Sequence, residues 1–204
     1  MSGEIKTSVE KGPEYYDLNL RNVLKLLESS PWLRLYEAAA DLMDDLDRGS
    51  RLVDLGCGTG RFAKLITSRG FTDYWGVDFS AARVAEARRY NPDLSFEVAS
   101  IFDEITDGRV RHADICVLLD VLEHIERDID VIAMIPPGTP IVLSVPNFDS
   151  AAHVRRFDDA DAVWRRYGGF FEKESARWHE IVNERRPHKR TFILRAIRGS
   201  LEGR

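Results

Sequence analysis

The segment Asp54-Leu55-Gly56-Cys57-Gly58-Thr59-Gly60 carries glycine at three alternate positions. Glycine is needed where the backbone takes a positive φ or where a ligand approaches the main chain closely. An apolar run precedes the segment and a helical pattern follows it from Arg61. Because the start of a helix has unpaired N–H groups and a positive dipole end, it favours a carboxylate or a phosphate. The segment therefore predicts a site for a ligand that carries an anionic group.

An acidic residue ends the next predicted strand. Asp78 follows Gly56 by 22 residues, and an acid at this place accepts hydrogen bonds from both hydroxyls of a ribose. The dinucleotide fingerprint puts its third glycine three residues after the second, whereas Gly60 follows Gly58 by two. The pattern favours a nucleoside with a carboxylate tail over a dinucleotide with a pyrophosphate.

Polar side chains follow two further apolar strands. Asp120, Glu123 and His124 come directly after one strand, and His153 and Arg155 lie in the loop after the next. Loops at strand carboxyl ends carry the ligand chemistry of open α/β sheets. The catalytic candidates are His124 and His153, and Arg155 is a candidate for binding an anionic or hydroxylated ligand.

The elements that must position these residues alternate between short apolar runs and helical patterns, which predicts a parallel sheet covered by helices on both faces. The predicted strands are 51–55, 74–78, 94–98, 114–119 and 141–145, and the predicted helices are 15–27, 31–46, 61–68, 80–90, 128–135 and 158–167. Two last strands, 170–180 and 189–198, are joined by a short polar turn and must be antiparallel. The expected fold class is α/β.

Four segments resemble the motifs of class I S-adenosylmethionine-dependent methyltransferases, in particular the small-molecule enzymes of the ubiquinone-pathway type. They are the glycine segment, Trp75–Ser80, Asp114–Ile125 and Leu143–Asn147. The resemblance covers roughly residues 51–147. It implies a Rossmann-like, mostly parallel sheet with an antiparallel C-terminal strand pair and extra N-terminal helices. It also implies S-adenosyl-L-methionine as methyl donor and S-adenosyl-L-homocysteine as product.

The resemblance assigns a set of residues to the donor site. They are Tyr16, Asp54, Gly56, Cys57, Gly58, Asp78, Phe79, Ser100, Ile101 and Leu119. In many relatives the third strand ends in an acidic residue near the adenine amino group. This chain has Ser100 and Ile101 there, with Asp103 further on, so Ser100 and Asp103 are both candidates for that contact. In relatives the N-terminal helix covers the donor, which implies such a role for Tyr16.

The residues after the fourth strand have a second interpretation. The spacing Asp120-x-x-Glu123-His124 is similar to the Glu-x-x-Glu-His of ubiquinone-pathway O-methyltransferases and small-RNA terminal methyltransferases, which implies a divalent ion held by these residues, with His153 as a fourth ligand. Oxygen and imidazole ligands suit such ions. Alternatively, Glu123 and His124 only cap a helix and bond the neighbouring loop, as Glu-His does in relatives without metal. The sequence alone favours a site without a metal.

The 204 residues predict one domain with a short leading segment. Residues 1–13 are expected to be a flexible tail, and 14–204 a single methyltransferase domain. Within it, 14–48 are expected to form lid helices, 51–147 the cofactor-binding core, and 148–204 an acceptor-side segment with the C-terminal strand pair. A chain of this length buries a core without disulfides.

The composition limits the classes of partner that the protein is expected to bind. The net charge is −5 and there are two cysteines, which argues against a general nucleic-acid binder and against a disulfide framework. No apolar run is long enough to span a bilayer. We expect a cytoplasmic monomer or homodimer that acts on a small-molecule acceptor. Because residues 151–204 hold 13 Lys/Arg and 8 Asp/Glu, methylation of RNA or protein is the alternative, and a non-catalytic S-adenosylmethionine-binding protein is a third.

Overall fold

The computed structural model describes residues 5–6, 8–20 and 26–200. The strands are β1 (Ile5–Lys6), β2 (Leu52–Leu55), β3 (Tyr74–Asp78), β4 (Ser95–Val98), β5 (Ile115–Leu118), β6 (Pro140–Pro146), β7 (Arg155–Arg156), β8 (Arg177–Val182) and β9 (Arg190–Ile197). The helices are α1 (Pro13–Leu18), α2 (Leu33–Asp41), α3 (Arg61–Ser68), α4 (Ala81–Tyr90), α5 (Glu104–Val110), α6 (Asp128–Met134) and α7 (Ala160–Tyr167). Short 3-10 turns lie at Leu27–Ser29, Leu122–His124, Gly168–Phe170 and Lys173–Ser175.

Seven of the strands form one sheet in the order β4-β3-β2-β5-β6-β9-β8. The first five are parallel, and β9 runs antiparallel to both β6 and β8. The predicted α/β sheet with its antiparallel C-terminal pair is therefore confirmed. The strand order reverses between β2 and β5, so the loops after these two strands diverge and leave a crevice at the carboxyl edge of the sheet.

Burial explains why the central strands read as unbroken apolar runs. Every residue of β2, β3 and β5 is buried, as expected for parallel strands covered on both faces. Ser80 begins α4 as predicted, since its side-chain oxygen accepts a hydrogen bond from the backbone N–H of Arg83. These strands and helices fix the positions of the loops that form the crevice.

The helices differ from the prediction at three places. Helix α2 begins at Leu33 rather than Pro31 and ends at Asp41 rather than near Leu46, because the chain continues in turns after Asp41. The first helix ends at Leu18, and its predicted continuation through residues 21–25 lies outside the described residues. The prediction also lacked α5.

The strand predicted to start at Phe170 begins seven residues later, at Arg177. The 3-10 turns Gly168–Phe170 and Lys173–Ser175 interrupt the predicted strand, and between them Phe171 forms an isolated antiparallel bridge with Arg198. The hydroxyl oxygen of Ser175 accepts the backbone N–H of Ile197 at 2.8 Å, so a side chain replaces the neighbouring strand as the partner of β9 at this point.

Part of the segment expected to be a flexible tail is bonded to the domain. Ile5–Lys6 pairs antiparallel with Arg155–Arg156. The hydroxyl of Ser8 donates to the carbonyl of His153 at 2.7 Å, and the carboxylate of Glu10 accepts the backbone N–H of Glu126 at 2.7 Å. This segment therefore crosses the loops that follow β5 and β6.

Candidate functional site

The glycine loop after β2 takes backbone conformations that other residues rarely adopt. The φ angles of Gly56, Gly58 and Gly60 are +83°, +53° and +71°. A side chain on Gly56 would place its Cβ 2.5 Å from a methyl carbon of Val121, whereas a Cβ on Gly58 would meet no atom within 4 Å. Gly56 therefore allows close packing inside the protein, and Gly58 leaves a cradle open to the crevice.

Asp78 ties the loop to the end of β3. One carboxylate oxygen accepts the backbone N–H of Gly58 at 3.0 Å and the other accepts that of Ser80 at 2.9 Å. Burial raises the pKa of Asp78, while these hydrogen bonds act in the opposite direction. Each carboxylate oxygen retains a second lone pair, so Asp78 can still accept from a ligand.

Asp54 is a buried carboxyl group at the end of β2. The hydroxyl of Tyr74 donates to it at 2.6 Å. Burial raises the pKa of Asp54 to about 7, with the hydrogen bond from Tyr74 lowering it and the charge of Asp78 raising it further. The carboxyl group of Asp54 therefore ionises near neutral pH. Asp54 also lines the crevice.

Two histidines meet across the crevice from the glycine loop. The rings of His124 and His153 lie 4.9 Å apart between centroids. The Nδ1 atom of His124 is 2.9 Å from the carbonyl oxygen of Ala152, and that of His153 is 2.9 Å from the carbonyl oxygen of Phe148. Burial lowers the pKa of His124, which favours its neutral form.

The backbone is unusual where β5 ends. Asp120 has a φ of +61° and is the one described residue other than glycine with a positive value. Its backbone N–H donates to the hydroxyl oxygen of Ser144 at 2.9 Å. Glu123 is 1% exposed, and burial together with the charge of Asp120 raises its pKa. One ligand atom from each of Asp120, Glu123, His124 and His153 lies within 4.8 Å of the others.

Arg155 does not reach the crevice, so the prediction that it binds the acceptor is wrong. It is 2% exposed and its guanidinium donates to the carbonyl oxygens of Leu122, Ile125 and Glu126. It also pairs with the buried carboxylate of Asp128 at 3.2 Å. Its role is to hold the turn that carries Glu123 and His124.

Tyr16 covers the crevice from the N-terminal side. Its ring contacts those of Phe79 and His124, with centroids 5.2 Å and 5.9 Å away, and Arg83 stacks on it at 4.7 Å. Asp17 fixes the helix in place because its carboxylate accepts the hydroxyl of Ser80 at 2.6 Å. Burial raises the pKa of Tyr16, so the phenol is neutral.

These groups line two adjoining cavities of about 110 Å³ and about 830 Å³, the smaller and the larger lobe of the crevice, which share Tyr16, Gly56, Arg83, Asp120 and His124. All twelve predicted donor-site and catalytic residues line it: Tyr16, Asp54, Gly56, Cys57, Gly58, Asp78, Phe79, Ser100, Ile101, Leu119, His124 and His153. Of the two candidates near adenine, Ser100 lines the smaller lobe, whereas Asp103 is turned to the backbone N–H of Ser100.

Several lining residues were not among the predicted site residues. They are Glu10, Lys11, Tyr36, Arg83, Phe102, Val121 and Phe148. Arg83 could have been found from its place in the first turn of α4, directly after the motif that ends at Ser80. Glu10 and Lys11 could not, because only the tertiary path of the N-terminal segment brings them to the cavity.

The profile of the methyltransferase-domain family matches residues 28–197. The chain belongs to this family. The methyltransferase domain is also 23% identical over 162 residues to a ubiquinone biosynthesis O-methyltransferase of Alkalilimnicola ehrlichii, covering 74% of this chain and 64% of that protein. It spans about half to two thirds of the length of the curated relatives it matches.

Solved structures share the fold. The [4+2]-cyclase SpnF superposes with a TM-score of 0.71 at 16% identity, covering 98% of this chain and 99% of that one. The N-methyltransferase NodS of Bradyrhizobium japonicum, in complex with S-adenosylhomocysteine, gives a TM-score of 0.66 at 16% identity over 92% and 98% of the chains. The predicted methyltransferase family and Rossmann-like fold are confirmed. Because one neighbour is named a cyclase, the fold alone does not establish the reaction.

Among the described residues, no helix is both long enough and apolar enough to cross a bilayer.

Proposed function

We propose that the protein transfers a methyl group from S-adenosylmethionine to an oxygen or nitrogen of a small molecule and releases S-adenosylhomocysteine. The observation that carries this proposal is one cavity that joins the glycine loop, Asp78 and His124. The methyl carbon would leave the sulfonium sulfur and bond to a lone pair of the acceptor. The sulfur keeps the electron pair of the broken bond as a neutral thioether.

The glycine-loop side of the cavity suits the amino-acid tail of the donor. Gly58 offers open space where any side chain would project. The loop leads into α3, whose N-terminal end favours a carboxylate. Asp54 lines the same lobe and, when ionised, would attract the ammonium group of the tail.

The smaller lobe suits the adenosine. Asp78 has lone pairs available for ribose hydroxyls, and Phe79 and Ile101 provide apolar surface for a purine ring. Ser100 has a hydroxyl that can hydrogen-bond the adenine edge. The donor sulfur would then lie near Tyr16, Gly56 and Asp120, which line both lobes.

The larger lobe extends past the two histidines and suits the acceptor. Since carbonyl oxygens only accept hydrogen bonds, the Nδ1 atoms of His124 and His153 carry protons. The Nε2 atom of neutral His124 then has a lone pair. We propose His124 as the base that takes the acceptor proton, because its lowered pKa keeps it neutral, and His153 as the residue that orients the acceptor.

The relatives support methyl transfer without choosing the acceptor atom. The curated relative is named an O-methyltransferase and the structural neighbour an N-methyltransferase. An amine acceptor with a free lone pair would need no base, whereas a hydroxyl acceptor would use His124. The pH dependence of activity in His124→Gln would separate the two.

Calorimetric titration with S-adenosylmethionine and S-adenosylhomocysteine tests the donor site. Asp78→Asn should weaken S-adenosylhomocysteine binding about tenfold or more, because it removes one charge-assisted hydrogen-bond acceptor. Asp93→Asn, an exposed aspartate in the turn before β4, is the matched control. Failure of both ligands to bind the wild-type protein would contradict the proposal.

Release of S-adenosylhomocysteine over a panel of hydroxylated metabolites, amines, RNA and peptides tests the acceptor class. Turnover with a metabolite is expected. Turnover with RNA alone, falling steeply with salt, would replace the small-molecule assignment. Tight donor binding without turnover of any acceptor would favour a non-catalytic role.

A further inference from the structure

We infer that the methyl acceptor carries an anionic group, which Arg185 and Lys189 bind in a groove between the start of α2 and the turn that joins β8 to β9. The inference rests on the proposed function and names the substrate class of that site. The groove has a volume of about 430 Å³, which is typical of small-molecule sites. Trp32 and Phe148 line the groove and the larger lobe, and Asp120 lines the groove and both lobes. An acceptor that reacts beside Asp120 can therefore extend into the groove.

The positive charges of the groove come from the turn 183–189. This turn has three Lys/Arg side chains and one acidic side chain, that of Glu184. The carboxylate of Glu184 pairs with the guanidinium of Arg34 in α2 at 2.6 Å, and both residues line the groove. Arg185 and Lys189 also line it and make no ion pair with any described carboxylate. These two charges are therefore available to a ligand.

The ammonium group of Lys189 lies against an aromatic ring of the groove. Its Nζ atom is 4.6 Å from the ring centroid of Phe148. This cation–π contact favours a position of the ammonium over the ring, and the N–H groups that point away from the ring can donate to an anion. Beside this cation, the rings of Phe148 and Trp32 offer apolar surface to the carbon skeleton of the acceptor.

Hydrogen bonds fix the turn before any ligand binds. The side chain of Asn183 accepts two backbone N–H groups of the turn, at 3.1 Å and 2.9 Å. The side chain of Asn147, which directly precedes Phe148, donates to the carbonyl of His188 at 2.9 Å and accepts the backbone N–H of Arg190 at 2.7 Å. The turn is thus joined to the loop after β6, and its cations project from a backbone fixed relative to the aromatic ring.

The charges of the groove orient the acceptor. The carboxylate of Asp120 lies where the groove meets the two lobes, whereas Arg185 and Lys189 lie at the turn. An anion is repelled by the first and attracted by the other two. The anionic group would then point away from the methyl donor, and the reacting atom towards it. Arg155, the arginine that the sequence suggested for an anion, is buried away from this path.

Binding of three probes to the full chain, in the presence of S-adenosylhomocysteine, tests the inference. The probes are 3-hydroxybenzoate, 3-hydroxyphenyl phosphate and the uncharged 3-hydroxybenzamide, and ligand-observed NMR measures their dissociation constants. We expect an anionic probe to bind about tenfold more tightly than the amide, because it adds a charge-assisted hydrogen bond. Comparison of the two anionic probes separates carboxylate from phosphate. Lys189→Gln and Arg185→Gln should each lose most of this preference, and Lys189→Arg should keep it.

Lys173→Gln and Arg186→Gln are the matched controls, because they remove exposed cations that do not line the groove. Both should bind the probes like the wild type. A wild type that binds neither anionic probe more tightly than the amide would overturn the inference, as would equal losses in Arg185→Gln and Arg186→Gln. Oligouridine that binds more tightly than the phosphate probe, with the difference lost in Arg185→Gln, would overturn it in favour of RNA.

Calorimetry with S-adenosylhomocysteine on the same samples keeps the two proposals apart. Donor binding without a preference for anionic probes would overturn the anionic acceptor alone. A preference for anionic probes without donor binding would overturn the proposed function and leave only an anion site.

Discussion

The two sides of the cavity are built in different ways. On the proposed donor side, Asp54, the glycine loop, Asp78 and Ser100 come from consecutive β-α units, and backbone N–H groups make most of the contacts. On the proposed acceptor side, His124 and His153 come from the loops after β5 and β6, and their rings are held by hydrogen bonds to backbone carbonyls. The donor side is thus specified by local backbone rules and the acceptor side by tertiary contacts.

The two sides should therefore differ in the substitutions that they tolerate. A backbone-built site depends on a few glycines and changes little with neighbouring side chains, which is consistent with a donor common to a whole family. A site held by buried side chains depends on residues that never touch the ligand, such as Arg155. Three substitutions test this contrast, from the largest expected effect to the smallest.

Arg155→Met should have the largest effect on stability. It leaves Asp128 buried with less compensation and frees three carbonyls, so the free energy of unfolding should fall by about 3–5 kcal/mol. Arg156→Met is the control, since the adjacent ion pair with the half-exposed Asp149 should contribute less than about 1 kcal/mol. Urea denaturation measures both. Equal losses in the two variants would show that the acceptor side does not depend on the buried arginine.

Gly56→Ala should destabilise the glycine loop, because the loop backbone at this position does not accommodate a side chain. The new Cβ would clash with Val121 at 2.5 Å in a conformation with φ of +83°, at a cost of about 3 kcal/mol. Gly58→Ala meets open space, so it should lose about 1 kcal/mol of stability but weaken S-adenosylhomocysteine binding by filling the cradle. Gly108→Ala, in α5 with open space and ordinary φ, should be neutral or stabilising.

Thermal denaturation and calorimetry on the three glycine variants separate the two effects. If Gly58→Ala bound S-adenosylhomocysteine as tightly as Gly108→Ala, the glycine loop would not contact the donor.

Asp54→Asn should have the smallest effect on stability and act with the opposite sign. The folded pKa of about 7 lies above the ordinary value of 3.8, so between these values the folded chain holds a proton that the unfolded chain has lost. The wild type therefore loses stability as pH rises from about 4 to 7, and the amide does not. At pH 8 the variant should be more stable than the wild type, because the amide has no charge to bury.

Donor binding should change in the other direction. Under the proposed function, ionised Asp54 attracts the ammonium group of the donor tail, so wild-type affinity for S-adenosylhomocysteine should fall as pH drops from 8 to 6. Asp54→Asn should bind more weakly at pH 8 and show less of this dependence. Denaturation at pH 5 and pH 8 and calorimetry at pH 6 and pH 8 are the measurements. A variant that lost stability at pH 8 would contradict the assigned ionisation of Asp54.

Much of the fold followed from the sequence because parallel strands that are buried on both faces need unbroken apolar runs. Strand β3 and helix α3 have the predicted limits, and the donor-side residues line the cavity. The start of β8 was missed because the side chain of Ser175, and not a strand, satisfies the backbone of β9. Helix α5 was missed because its short sequence has a glycine and little apolar periodicity.

The sequence by itself determined the glycine loop and the acid after the next strand, because positive φ, strand burial and helix capping are properties of neighbouring residues. Only the tertiary structure decided that His153 meets His124, that Glu123 is buried with an unbonded oxygen, and that Arg155 supports the site instead of lining it. These facts depend on how the loops after β5 and β6 pack together. Packing between distant segments is set by shape and burial over the whole fold, which no local spacing encodes.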